Sequence, residues 1–189
     1  MWLRKLIIAL ALCLVVASAV LAQQEKWNEL NQQVMRLCRE GKYAEASKVA
    51  EKSLEVAEKT FGPDDSAVAT CLNNLAALYK AQGKYAEAER LYKHSLAIWE
   101  KALGPDHPTV AASLNKLAEL YDSQGKYAEA EPLYNRSLVT YEKALGPDHP
   151  NVAKSLNNLA ELYRKTGKEE EASKLEERAK KIKSQLGGR

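Results

Sequence analysis

Side chains suited to covalent or metal chemistry are sparse: the 189 residues hold three histidines and three cysteines. His107 and His149 recur 42 positions apart in the same Gly-Pro-Asp-His-Pro setting, which reads as a helix cap and separates them too far to share a metal ion. His94 stands alone on a helical pattern. Cys38 falls late in one helix and Cys71 early in the next, an axial offset of about 13 Å if those helices run parallel. A disulfide needs Cα atoms within about 7 Å, so no internal bridge is expected. Cys71 reads as a small buried residue, and Cys38 as an accessible thiol able to link two chains. The sequence contains no phosphate-binding glycine loop, nucleophile elbow or metal-ligand cluster. It predicts no catalytic residue, no metal, no cofactor and no small-molecule substrate, which makes an enzyme the weakest functional class.

The polar residues that do recur are amides. Asn31, Asn73, Asn115 and Asn157 stand one per 42 residues, each in mid-helix opposite an apolar stripe. Asparagine is a mediocre helix former, so its return at that position implies a use for the side chain. Two uses fit. An amide both donates and accepts, which suits the backbone of an extended peptide about ten residues long; equally, each amide can bond to the neighbouring unit. Around this row lie Met35, Cys38 and Arg39, then Ala77, Lys80 and Ala81, then Glu119, Asp122 and Ser123, then Glu161, Arg164 and Lys165, with Lys154 nearby. Read as a recognition surface, these residues call for basic ligand groups over Glu119 and Asp122 and acidic ones near Lys154, Arg164 and Lys165. Read otherwise, they are an ordinary solvated face.

The elements that carry these residues are set by a repeat. Gly-Lys-Tyr-Ala-Glu-Ala occupies 41–46, 83–88 and 125–130, and Leu-Asn-x-Leu-Ala-x-Leu-Tyr occupies 72–79, 114–121 and 156–163. A fixed period of this size predicts stacked supersecondary units. In each unit Leu72, Leu75, Ala76 and Tyr79, and their copies, follow the i, i+3, i+4, i+7 spacing of one buried helical stripe. A second helix presents Ala88, Leu91, Tyr92, Ser95 and Trp99. Gly83 and Gly104 end the two helices, Pro105 cannot continue the second, and Asp106 or His107 caps the next with Pro108 in its first turn. The sequence thus predicts an all-α helix-turn-helix solenoid with pairs near 25–59, 66–101, 108–143 and 150–186. Pro132 is expected to bend its helix. Glu176, where Tyr92 and Tyr134 stand in earlier units, marks a solvated closing cap. Asn135-Arg136-Ser137 matches a glycosylation acceptor but falls inside a predicted helix.

These repeat positions resemble the tetratricopeptide repeat, and the 42-residue period with its Leu-Gly-Pro-Asp-His-Pro connector is similar to the long variant found in kinesin light chains. The resemblance covers nearly all of 25–186. It implies a right-handed superhelix whose first helices line a concave groove that binds a peptide or protein. The motor role does not carry over, because the chain has no heptad segment.

Ahead of the repeats, Arg4 and Lys5 precede an uncharged run from Leu6 to Ala22 that ends in small residues, the layout of an export signal. As an uncleaved anchor those residues would span about 25 Å of a hydrocarbon core about 30 Å thick. Residues 1–22 are therefore read as a signal segment, or alternatively as a short anchor, with 23–189 as the repeat domain. In both cases the domain is expected outside the cytoplasm, periplasmic or secreted, and meets a membrane only through 1–22. A formal charge of +3 on 21.0 kDa is too small for a phosphate-binding face, so nucleic acid is excluded as a partner. The expected function is a protein-binding scaffold; the alternative is a structural component that self-associates through its convex face or ends.

Overall fold

Each unit closes as two helices because its own turn residues stop the chain twice. The computed structural model describes the backbone of residues 2–187 and the side chains of Trp2 and residues 18–185. Its helices are α1 (Trp2–Arg39), α2 (Tyr43–Phe61), α3 (Ser66–Ala81), α4 (Tyr85–Leu103), α5 (Pro108–Ser123), α6 (Tyr127–Leu145), α7 (Pro150–Lys165) and α8 (Glu169–Gly187). They pack in chain order, each first helix on its own second helix and each second helix on the next first helix. This is the all-α repeat solenoid that the period predicts. The second helices run one or two residues past the predicted ends; α2, α4 and α6 continue to the residue directly before Gly62, Gly104 and Gly146. The reading of 1–22 as a signal falls mainly on residues whose side chains lie outside the described residues; the α1 backbone runs unbroken through Ala22. Among the described residues no helix is long and apolar enough to cross a membrane.

The turn inside each unit has a mechanical reason. Gly83 takes φ +75°, where a side chain would be strained. This lets Gly83 N–H reach the Lys80 carbonyl at 3.0 Å and Lys84 N–H reach the Tyr79 carbonyl at 2.9 Å, the paired bonds of a Schellman ending. The lysine that follows lies over the ring that precedes: Lys84 over Tyr79 at 5.1 Å, Lys126 over Tyr121 at 5.7 Å and Lys168 over Tyr163 at 4.7 Å. The recurrent Gly-Lys is thus a helix stop followed by a cation resting on an aromatic face.

The turn between units assigns the two residues of the Asp-His pair to separate tasks. Asp65, His107 and His149 cap α3, α5 and α7, accepting from the N–H groups of Ala67, Thr109 and Asn151 at 2.7, 3.2 and 3.1 Å. The preceding Asp64 and Asp106 instead pair with Lys101 and Lys143 near the end of the second helix of the next unit. Ser95 and Ser137, fully buried, donate to the carbonyls of Ala69 and Ala111 at 2.7 Å and fix α4 on α3 and α6 on α5. Of the Asn135-Arg136-Ser137 sequon, Ser137 is buried and committed to this bond, while Asn135 is half-buried and Arg136 exposed. Pro132 occupies the exposed side of α6, which keeps the 19-residue length of α2 and α4.

Replacing His107 with Ala is expected to cost about 1 kcal/mol of unfolding free energy through the lost cap. His107→Asp, the residue already used at Asp65, should retain it. Urea unfolding followed by circular dichroism measures both; equal losses would show that the imidazole does something other than cap.

Candidate functional site

First helices line one side of the solenoid, and their side chains meet in two places. In the middle, a cavity of about 330 Å³ is bordered by Lys80 from α3, Asn115, Lys116 and Glu119 from α5, and Lys154 from α7, with Tyr92 of α4 also on its wall. None of these three lysines forms an ion pair among the described residues. Glu119 is the one acid on the wall, and its side-chain hydrogen bond among the described residues is a long one of 3.5 Å from Asn158 Nδ2. The pocket therefore carries an excess of positive charge beside a buried amide.

That amide is Asn115, 6% exposed. Its Nδ2 donates to Ser155 Oγ on α7 at 2.9 Å, which fixes the plane of the amide. Its Oδ1 is buried without a hydrogen-bond partner among the described residues. A buried acceptor left in this state costs about 1–3 kcal/mol. The rest of the asparagine row divides. Asn31 Oδ1 accepts from Ser53 Oγ at 2.9 Å, within the first unit. Asn73 is half-buried with its Oδ1 enclosed and unpartnered, and Asn157 is half-buried on α7. The row is thus not one uniform ligand ladder: at Asn31 and Asn115 one end of the amide holds helices together.

The charged residues assigned by sequence to opposite patches are largely spent on one another. Asp122 accepts from Lys165 Nζ at 2.6 Å, and Lys165 also reaches Glu161 at 3.0 Å. Burial works against the ammonium of Lys165, but its bonds to Asp122 and Glu161 outweigh this and hold its pKa above the ordinary range. Arg164 turns away from the groove and grips Glu176 of α8 with two bonds, at 2.8 and 2.7 Å. That contact raises the arginine pKa and lowers the glutamate's. Of Lys154, Arg164 and Lys165, only Lys154 lines the central pocket, while the other two are bonded to nearer carboxylates. Lys116, which does face it, escaped the sequence reading; its place beside Asn115, one helical turn before Glu119, was the available signal.

The second meeting place is a cavity of about 550 Å³ between α1 and α3, walled mainly by apolar groups including Val34, Met35, Cys38, Ala77 and Leu78. Both repeat-region cysteines are free, Cys38 half-buried and Cys71 buried. Cys71 Sγ accepts from Trp27 Nε1 at 3.1 Å and lies 3.6 Å from Ser53 Oγ, so this thiol helps to tie α1 to α2 and α3. His94 joins no group of potential metal ligands among the described residues.

A family model described as the tetratricopeptide repeat matches residues 31–98, 72–138 and 123–185. The crystal structure of BtubC (BKLC) from P. vanneervenii is 25% identical and aligns with a TM-score of 0.79 over 86% of this chain and 65% of that one, so this chain spans about two-thirds of that protein's length. A crystal structure of nearly identical TPR-like repeats from a Podosopora anserina protein described as a kinesin light chain is 22% identical over 85% of this chain and 96% of its own, with a TM-score of 0.56. At that identity it shows the fold alone. No curated protein matches the chain.

Tyr92 gives the pocket a titration signature. Its pKa is raised from the usual 10.0 to about 12, first by burial and then by the Glu119 carboxylate. The folded state holds this proton more tightly than the unfolded chain, so the stability it contributes is complete below about pH 10 and is lost as pH rises toward about 12. Tyr92→Phe should remove one late phenolate step from the ultraviolet titration and move the alkaline unfolding midpoint upward. If the step persists, the late-titrating group is another tyrosine.

Proposed function

The chain belongs to the tetratricopeptide repeat family, and from that premise we propose that it is a non-enzymatic adaptor, exported from the cytoplasm, that holds an extended segment of a partner protein in the groove of its first helices. The fold itself is that of a protein–protein interaction scaffold. The observation that carries the finer reading is Asn115: its donor is committed to Ser155, its acceptor is not, and Lys80, Lys116 and Lys154 surround it. This combination suits a polypeptide, which offers a backbone N–H to the amide and a carboxylate to the ammonium groups. The low overall charge argues against a long polyanion as the occupant. Export rests on Arg4, Lys5 and the uncharged run that follows them.

Self-association through the ends is disfavoured by what replaces the stacking residues there. Tyr134, Leu138 and Tyr141 are buried on α6, while the corresponding residues of α8 are Glu176, Lys180 and Lys183, the two lysines exposed. Cys71, Leu75 and Leu78 are buried on α3, while α1 has Glu29, Gln33 and Arg36, all exposed. Each lost apolar contact of this kind withholds roughly 1.5–3 kcal/mol from a further stacked unit.

A photo-crosslinking residue at Lys116 in the groove and another at the exposed Val139 of the convex side test the reading. Partners are expected to be trapped from Lys116 and not from Val139, and the yield should fall roughly tenfold when Lys80 and Lys154 are changed to Glu. Trapping from Val139 alone would transfer the function to the convex face.

A further inference from the structure

Comparing equivalent positions along the groove shows that it is not one surface. The position one turn beyond each asparagine reads Met35, Ala77, Glu119, Glu161, and the position a further turn on reads Cys38, Lys80, Asp122, Arg164. Between α5 and α7 the groove is drawn shut by the Lys165 bridge to Asp122. The residues equivalent to that bridge between α1 and α3 are Cys38 and Ala81, which cannot pair. Both stand on the wall of the 550 Å³ cavity, and the gap that the bridge would span remains open.

This trough has an apolar floor and one charged edge. Met35, on its wall, is 52% exposed, an unusual exposure for a large apolar side chain. Methionine is flexible and polarisable, so it fits itself to an incoming apolar group. Arg39 also lines the trough, and Arg36 lies one turn before it; neither forms an ion pair among the described residues. The nearby Glu40 is already paired with Lys42 at 2.8 Å. The edge therefore carries two guanidinium groups without an ion-pair partner among the described residues, with Glu29 and Glu40 nearby, beside the apolar surface.

We propose that the trough between α1 and α3 is a specificity subsite, receiving one bulky apolar side chain of the partner segment over Met35 and Ala77 and a neighbouring carboxylate against Arg39. It rests on the groove reading above and deepens it by naming the chemistry of the ligand. The apolar anchor supplies burial, and the arginine selects which extended segments bring an acid alongside it. The half-buried Cys38 thiol on the same wall provides a reporter, with the buried Cys71 as internal control.

The test is selection from a random ten-residue peptide library on the full chain, on Met35→Gln, on Arg39→Glu and on a variant with Lys80 and Lys154 changed to Glu. The full chain is expected to enrich peptides with an apolar residue beside an acidic one, and those peptides should slow alkylation of Cys38. Met35→Gln should bind them roughly tenfold more weakly. Arg39→Glu should exchange the acidic preference for a basic one. Both substitutions are at exposed positions, and circular dichroism checks that the helices persist. Peptides that lose affinity only with the Lys80 and Lys154 changes, and leave Cys38 equally reactive, would overturn the subsite while keeping the groove. No enrichment from the full chain would overturn the groove reading and the subsite together.

Discussion

A two-helix unit has two apolar faces and can cover only one of them by itself. The whole molecule follows from that deficit. The second helix of each unit must lie against the first helix of the next, so Tyr92 and Tyr134 are buried almost completely in the interior of the array. Fixed spacing of these contacts makes the helices stack in register, which ranks first helices side by side and gives the groove its walls. The polar fastenings obey the same period. Arg136 pairs with Glu100, and Arg178 with Glu142, each one unit apart on the second helices. Exposed pairs of this kind add little energy, and their repetition serves orientation more than cohesion.

Departures from the period locate what the scaffold does not need. Repetition is strict at the glycine stops and, in the last three units, at the buried stripe of the first helices, where a change would leave a helix end unsatisfied or a cavity in the core. It relaxes on the groove face, where no packing demand dictates the residue. The groove consequently changes character along its length: apolar between α1 and α3, cationic around Asn115, and internally bridged between α5 and α7. The first unit departs further, since Trp27 stands where α3 has Ala69. In that unit Ser53 donates to Asn31 Oδ1, where Ser95 donates to the Ala69 carbonyl, and Trp27 donates to Cys71.

The fold was legible in the sequence because helix stops, caps and apolar spacing are local, and the period repeats each signal three or four times. The choice between Asp106 and His107 as cap was not, since both residue types accept from a helix N-terminus; it was decided by Lys143, distant in sequence, which takes the aspartate. The site was legible only as a face. Whether an asparagine there serves a ligand or a neighbour depends on partners such as Ser155 for Asn115, and whether Arg164 enters the groove depends on Glu176 across the turn. Spacing along one helix gives no measure of such distances. The sequence reading placed the acids and bases on the right helices and then treated them as independent charges, whereas the stacking brings Asp122 and Lys165 within 2.6 Å.

The same stacking also bears on why the middle of the array, and not its ends, presents the half-committed amide. A pocket that holds a polar partner must keep its own polar groups fixed without satisfying all of them, because a fully bonded amide has nothing to offer and a free one pays to be ordered on binding. Asn115 meets this condition through Ser155: one bond immobilises the side chain and leaves its oxygen committed to nothing. Such a bond requires a first helix on the following unit, which α7 supplies for α5. At the amino-terminal end the corresponding asparagine is held from within its own unit by Ser53, and its oxygen is the atom consumed. The amide chemistry is therefore available in the interior of the repeat, while the end unit offers apolar surface in its place.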